Sequence, residues 1–299
     1  MCGIVGLFAK TSSTEEALGI HLASMLGVMC DRGPDSAGFA VYGQGRANCL
    51  KITVRAPHDF SFGDFANAAS EALGERIEAH PRDTHAVFFV PEAVSERFRT
   101  YLATYARSVA IVSAGERMEV YKEVGLPATV ARRFGLAEMS GTHGIGHTRM
   151  ATESAVTTNG AHPFTTGPDQ CLVHNGSLSN HNAVRRDLQR EGMRFQTDND
   201  SEVAAAYLDW RMRQGASLGQ ALEASLGDLD GFYTFVVGTK TGFGVLRDPI
   251  ACKPAVMAET EDYVAFGSEY RALADLPGIA SARVWEPEPA KVYFWEHAA

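Results

Sequence analysis

The chain is poor in several features that would give a quick functional reading. It has only five cysteines in 299 residues: Cys2, Cys30, Cys49, Cys171 and Cys252. They are scattered and form no Cys-x-x-Cys pair, which argues against a zinc site, and their odd number argues against a complete disulfide framework. The ten histidines lack metal-ligand spacing, so no metal is expected. There is no basic excess, since the net charge is −9, and nucleic acid is not an expected partner. No apolar run approaches the roughly 20 residues that span a bilayer, so no membrane segment is expected. The first residues lack the basic-then-apolar layout of a secretion signal, and the expected location is cytoplasmic. Internal repeats and low-complexity tails are also missing. What remains is an ordinary globular composition, 45% hydrophobic and 21% charged, long enough for one large domain or two small ones.

The stretch that is present and informative is the first, Met1-Cys2-Gly3-Ile4-Val5-Gly6. Cysteine after the initiator is small enough for the methionine to be trimmed. Trimming would put a thiol and a free α-amine on one residue. An α-amine ordinarily titrates at about 7.7–8.0, so it can serve as the thiol's base. The apolar run Ile4 to Phe8 reads as a buried strand that would hold this terminus in place.

Thr11 to Ser13 supplies capping hydroxyls, with Glu15 and Glu16 in the first turn of a helix. Leu18, Leu22, Met25, Leu26 and Met29 recur at helical spacing and should face a core. Arg32-Gly33-Pro34-Asp35-Ser36 turns the chain, and Phe39 to Tyr42 resumes a strand. Residues 52–138 change character. Helical stretches near 65–77, 91–105 and 128–134 alternate with strands near 86–90 and 109–112. This predicts an inserted α/β subdomain, in which we find no Gly-rich phosphate loop. After residue 230 the chain alternates short strands and turns, with one short helix over 269–276. Such a pattern predicts antiparallel sheets with helices packed outside them.

Between 141 and 202 polar residues are set densely among glycines. Asn175-Gly176 offers a side-chain amide and a closely approachable backbone N–H, which together suit an oxyanion. The same dipeptide also reads as a hairpin turn. Arg149 carries a planar fork suited to a carboxylate, or to a structural salt bridge. Asp200 suits a substrate ammonium, or, with Ser201, caps the helix that buries Val203, Ala206, Tyr207 and Trp210. His147, His162 and His174 read as structural histidines, because the terminal amine already supplies a base.

Taken together, these motifs resemble the class II glutamine amidotransferase domain of the N-terminal-nucleophile hydrolases. The resemblance rests on Met1 to Gly6, Arg32-Gly33-Pro34-Asp35-Ser36, Gly146-His147-Thr148-Arg149-Met150-Ala151-Thr152, His174-Asn175-Gly176 and Asp200-Ser201-Glu202. Arg247-Asp248-Pro249 and Ser268-Glu269 add to it. It covers about residues 1–51 and 139–299. Glu153 and Met150 depart from it, standing where related domains often have histidine and tryptophan.

The resemblance implies an α+β fold, a four-layer αββα sandwich, interrupted here by the α/β subdomain. It implies cleavage of a small γ-glutamyl amide by Cys2, with Asn175 and Gly176 at the oxyanion. Arg149 and Thr152 would hold the α-carboxylate, Asp200 the α-ammonium, and Arg32 and Asp35 the supporting loop. Within the family the chain is most similar to amidotransferase subunits that resemble a detached piece of glutamate synthase, as in the amidotransferase component of N-methylglutamate synthase. That implies methylamine metabolism in a hetero-oligomer with glutamate synthase-like subunits. No cofactor is expected in this chain. FMN, and as a further option an iron–sulfur cluster, is expected on the partners. Two other readings stand beside it: a glutaminase subunit that delivers ammonia, and a catalytically silent scaffold. The retained Cys2, Arg149, Asn175, Gly176 and Asp200 argue against the scaffold.

Overall fold

The strand β1 (Gly3–Ala9) is buried along its whole length. In the computed structural model, which describes residues 2–151 and 155–297, it lies at the centre of a seven-stranded sheet. The chain continues through α1 (Ser12–Val28), β2 (Ser36–Tyr42), β3 (Cys49–Arg55), α2 (Phe62–Leu73), β4 (Glu78–Arg82), β5 (His85–Pro91), α3 (Ser95–Tyr105), β6 (Ala110–Gly115), β7 (Met118–Val124) and α4 (Pro127–Arg133). Then come β8 (His143–Arg149), β9 (Phe164–Gly167), β10 (Gln170–Leu178), α5 (His181–Arg190), α6 (Asp200–Arg213) and α7 (Leu218–Asp228). The last strands are β11 (Gly231–Gly238), β12 (Gly242–Arg247), β13 (Val256–Glu259), β14 (Tyr263–Gly267), β15 (Arg283–Trp285) and β16 (Val292–Glu296).

Three antiparallel sheets result, ordered β15-β13-β14-β1-β8-β2-β7, β16-β12-β11-β10-β9 and β4-β5-β3-β6. The first two stack face to face. Strand alternation decides which residues meet between them. On β1, Ile4 and Phe8 join Val173, Val236 and Phe243 of the second sheet in one buried cluster. Val5 and Leu7 point the other way, into a cluster with Leu18, Leu22, Met25 and Leu26 of α1 and Val130 of α4. Each of those large side chains contributes about 1.5–3 kcal/mol on burial, as an upper bound. The outer face of the second sheet carries α5, α6 and α7 on Leu172, Phe235, Val237 and Leu246. Helices therefore cover both outer faces of the sheet pair, and the chain is α+β.

The subdomain has its own core, in which α2 and α3 pack on Ile52, Val54, Phe88 and Val90. Its boundaries differ from the expected 52 and 138. The subdomain sheet already begins at Cys49, because β3 is continuous from Cys49 to Arg55. It ends at Gly115, since β7 pairs with β2 in the seven-stranded sheet and α4 packs beside α1. The alternation of β7, Met118 and Val120 inward against Glu119 and Glu123, marks it as part of the larger sheet. Three smaller expectations also change. The hydroxyl of Thr11 bonds the hydroxyls of Ser13 and Thr14 rather than a backbone N–H. The N-cap of α6 is Asn199, whose side chain accepts from Ser201 N, and Asp200 is the first helical residue. The helix expected over 269–276 is a single 3-10 turn at Tyr270–Ala272. Pro277-Gly278 stops it before it can repay the cost of helix nucleation.

One buried carboxylate ties the layers together. Asp169, in the turn between β9 and β10, accepts from the backbone N–H groups of Glu116, Arg117 and Met118 at 2.7, 2.9 and 2.9 Å. It thereby fixes the β6–β7 junction against the second sheet. We predict that Asp169→Ala costs about 2–3 kcal/mol, since it strands one buried and two part-buried donors. Denaturant unfolding would measure this, and a loss below about 0.5 kcal/mol would contradict it.

Candidate active site

The side chains of the polar stretches meet at one end of the sheet pair. Alternation along β8 sends His143, Ile145, His147 and Arg149 toward the second sheet, and alternation along β10 sends Cys171, Val173 and Asn175 toward the first. In the seven-stranded sheet Gly3 lies opposite Thr148, so Cys2 stands beside Arg149 and Met150. The Cys2 Sγ is 3.8 Å from the Met150 carbonyl oxygen.

The backbone of Cys2 is held from two sides. Its carbonyl oxygen accepts from Arg32 Nε at 3.0 Å and from Asn175 Nδ2 at 3.3 Å. Arg32 is itself buried and pairs with Glu269 at 2.5 Å. Ser268 adds a third hold: its hydroxyl accepts from Ile4 N at 2.9 Å and from Asn175 Nδ2 at 3.2 Å. Asn175 is thus oriented with its amide nitrogen toward Cys2.

His147 fixes the other end of that amide. Its Nε2 is 3.1 Å from the His174 carbonyl oxygen and 3.1 Å from Asn175 Oδ1. A carbonyl only accepts, so Nε2 carries the proton and also donates to Oδ1. Nδ2 is then left to face Cys2. Asn175-Gly176 therefore lies within strand β10 and is no hairpin turn. Gly176 has φ 151°, and a Cβ there would sit 2.0 Å from the Phe232 carbonyl oxygen, so only glycine fits.

The 32–36 loop braces the end of β8. Asp35 N donates to the Arg149 carbonyl at 3.1 Å, and Asp35 Oδ2 accepts from Ala151 N at 2.8 Å. Gly33 has no room for a side chain, because a Cβ would come within 2.6 Å of Arg149 N. Arg149 is buried, and its Nη1 donates to the Ala155 carbonyl at 3.4 Å. Asp200 accepts from Leu178 N at 2.9 Å and approaches His174 Nδ1 at 3.8 Å. Thr152 lies outside the described residues. Cys2, Arg32 and Asn175 are thus joined by direct contacts, as are Asp35 and Arg149, and the Met150 carbonyl beside Cys2 Sγ links the two groups. Gly176 adjoins them, and Asp200 is reached through His174 and the end of β10.

Sequence reasoning gives His147 only a structural role and leaves Ser268 and Glu269 as motif residues without a task. Nothing in spacing along the chain brings His147 to Asn175, since the two sit in different sheets. Among the described residues no cluster of three or more His, Cys, Asp or Glu side chains is arranged to hold a metal.

Residues 147–275 match the family model of a glutamine amidotransferase domain. The glutamine amidotransferase-like protein GlxB of Rhizobium meliloti (strain 1021) is 61% identical over 298 residues, 99% of each chain. A putative glutamine amidotransferase of Methanothermobacter thermautotrophicus is 31% identical over 98% of this chain and 99% of its own. The chain belongs to the class II glutamine amidotransferases. Among solved structures, the glutamine phosphoribosylpyrophosphate amidotransferase from B. subtilis superposes with a TM-score of 0.63 at 20% identity. This amidotransferase aligns there over 99% of its own residues but spans only 47% of that chain, and the likeness concerns the fold. Among the described residues no helix is long and apolar enough to cross a membrane.

Burial pushes the His147 imidazole down to about 3, and does the same to His143 and His85. These rings stay neutral in the fold. An unfolded chain takes up protons near pH 6.5, so between about pH 6.5 and 3 it binds more protons than the native state. Stability is therefore full above about pH 6.5 and falls as the pH drops through that window. Denaturant midpoints at about pH 7.5 and pH 5 should differ clearly, the acid one lower. Equal midpoints would mean that these histidines are solvated.

Proposed function

We propose that this chain is the amidotransferase subunit of an N-methylglutamate synthase-like complex, cleaving a γ-glutamyl amide at Cys2. The observation that carries the reading is the double hold on Asn175, by His147 at one end and toward Cys2 at the other. Removal of Met1 exposes the Cys2 α-amine, which takes the thiol proton as sulfur attacks the amide carbon. Charge develops on the amide oxygen, and Asn175 Nδ2 with Gly176 N–H receives it. The long bonds from Nδ2 to Cys2 O and Ser268 Oγ yield to this charged acceptor, which makes a shorter and stronger bond. The α-ammonium returns the proton to the leaving amine, the thioester forms, and water then releases glutamate.

Arg149 takes the substrate α-carboxylate as a planar fork, with Thr152 assisting, and Asp200 takes the α-ammonium. Arg32 and Asp35 hold the loop that keeps Cys2 and Arg149 at their spacing. The released amine is ammonia from glutamine or methylamine from γ-glutamylmethylamide. An amine lost to water at neutral pH is protonated and poorly nucleophilic, so a sheltered transfer to glutamate synthase-like partner subunits suits this chemistry. The redox step belongs to those partners, where FMN, with or without an iron–sulfur cluster, would act.

Asn175→Ala should lower kcat by about 10²–10³-fold, as for the loss of one preorganised donor, with a smaller change in KM. Arg149→Met should act mainly through KM, by about tenfold or more, for either amide. Kinetics on both amides with protein shown by intact mass to begin at Cys2 would test the pair. Wild-type rates in either variant would remove that residue from the mechanism. Isotope-labelled methylamine and glutamine, given to the co-purified complex, identify the amine that is transferred. Label from glutamine alone would leave an ammonia-delivering glutaminase.

A further inference from the structure

Residues 155–163 carry the chain from the seven-stranded sheet to the five-stranded one, and no strand or helix secures them. Lys122, on β7, does so instead. Its ammonium donates to the carbonyls of Asn159, Ala161 and Pro163 at 3.3, 2.9 and 3.3 Å. Three donors on one atom meet three acceptors from one short segment, a match that only lysine among the side chains supplies. The Phe164 ring lies 4.8 Å from the same nitrogen.

The segment is held at two further points, one directly by the inserted subdomain and one by β7. Arg55, at the end of β3, donates from Nη2 to Asn159 Oδ1 at 3.0 Å. Thr158 donates through its hydroxyl to the Glu123 carboxylate. The other oxygen of Glu123 lies 3.6 Å from Arg133, which bonds Asp83 in the β4–β5 turn at 2.8 Å. On its inner side the segment meets Arg149. The Ala155 carbonyl accepts from Arg149 Nη1, and a Cβ on Gly160 would lie 3.4 Å from that nitrogen.

We infer that Lys122, together with Arg55 of the subdomain, positions the 155–163 segment against Arg149 and thereby sets the affinity for the substrate's α-carboxylate. The inference rests on the reading of Arg149 as the carboxylate clamp. The subdomain then belongs to the substrate site's support rather than being a separate module. Lys122 and Arg55 are positioning residues; they touch the segment and leave the reacting atoms alone.

The test compares two thiol reagents on the full chain beginning at Cys2. One is a chloroketone shaped like glutamine, which uses the α-carboxylate grip, and the other is iodoacetamide, which does not. Lys122→Met keeps the aliphatic stem and removes the donors. It should slow chloroketone labelling of Cys2 on the order of tenfold and leave iodoacetamide labelling within about twofold. Arg55→Ala should show the same selectivity at about threefold, and it stands in if Lys122→Met fails to fold. Hydrogen exchange should rise in 155–163 and stay unchanged in β1 and β10. Chloroketone labelling at the wild-type rate in both variants, or equal slowing of both reagents, would overturn the inference. Wild-type protein that shows no advantage for the chloroketone, or an Arg149→Met variant that keeps it, would instead overturn the clamp reading beneath it.

Discussion

The structure depends on where β1 sits. A chain terminus ordinarily frays, but here the first strand is hydrogen-bonded on both sides, to β14 and to β8. Its two faces are buried in different cores, so a slip of one residue would exchange the residues facing α1 with those facing the second sheet. That constraint fixes the position of Cys2 through the backbone. Arg32, Asn175 and Ser268 then refine the backbone around it, each through main-chain atoms of the first residues. Sulfur and rigid support are thus separated: the strand supplies the placement and leaves Cys2 half-buried.

The polar residues around Cys2 divide by sheet face. His147 and Asn175 lie between the sheets, in a region dry enough to keep imidazoles neutral. The geometry requires the His147 proton on Nε2, where both partners accept, and burial keeps the ring neutral. His174, on the opposite face of β10, bonds Ser201 at the start of α6. Adjacent residues of one strand therefore serve two layers, and Asp200 is brought to the end of β10 by helix packing rather than by the sheet.

Much of this is legible in the sequence. Periodicity places β1, α1, β5, β11 and β12 because their apolar residues recur at the spacing of the faces they bury. The Arg32–Ser36 and Asn175-Gly176 motifs are legible because glycine beside a polar residue marks close backbone approach, and Arg149 because its planar fork suits a carboxylate. The end of the subdomain is misplaced because β7 alternates apolar with charged residues and reads as a surface segment, whereas Lys122 and Glu123 are used within the fold. Helix α7 goes unread although Ser217 and Gln220 form a capping box; the strands that follow it dominate the pattern with period two. The link from His147 to Asn175 is not legible at all, because it arises only when two sheets stack.

The insertion point of the subdomain has its own consequence. Strands β2 and β7 are antiparallel neighbours, Tyr42 lies opposite Met118, and Gly43 N still bonds the Arg117 carbonyl. The two ends of the subdomain thus emerge side by side, as the arms of a hairpin do. A tight turn of a few residues could join them with no change to either stacked sheet. The architecture is therefore modular at this joint, and a shortened descendant would keep Cys2 in place while giving up the hold that Arg55 has on Asn159. Gain or loss of the module would change the hold on the 155–163 segment without rebuilding the end of the sandwich that carries Cys2.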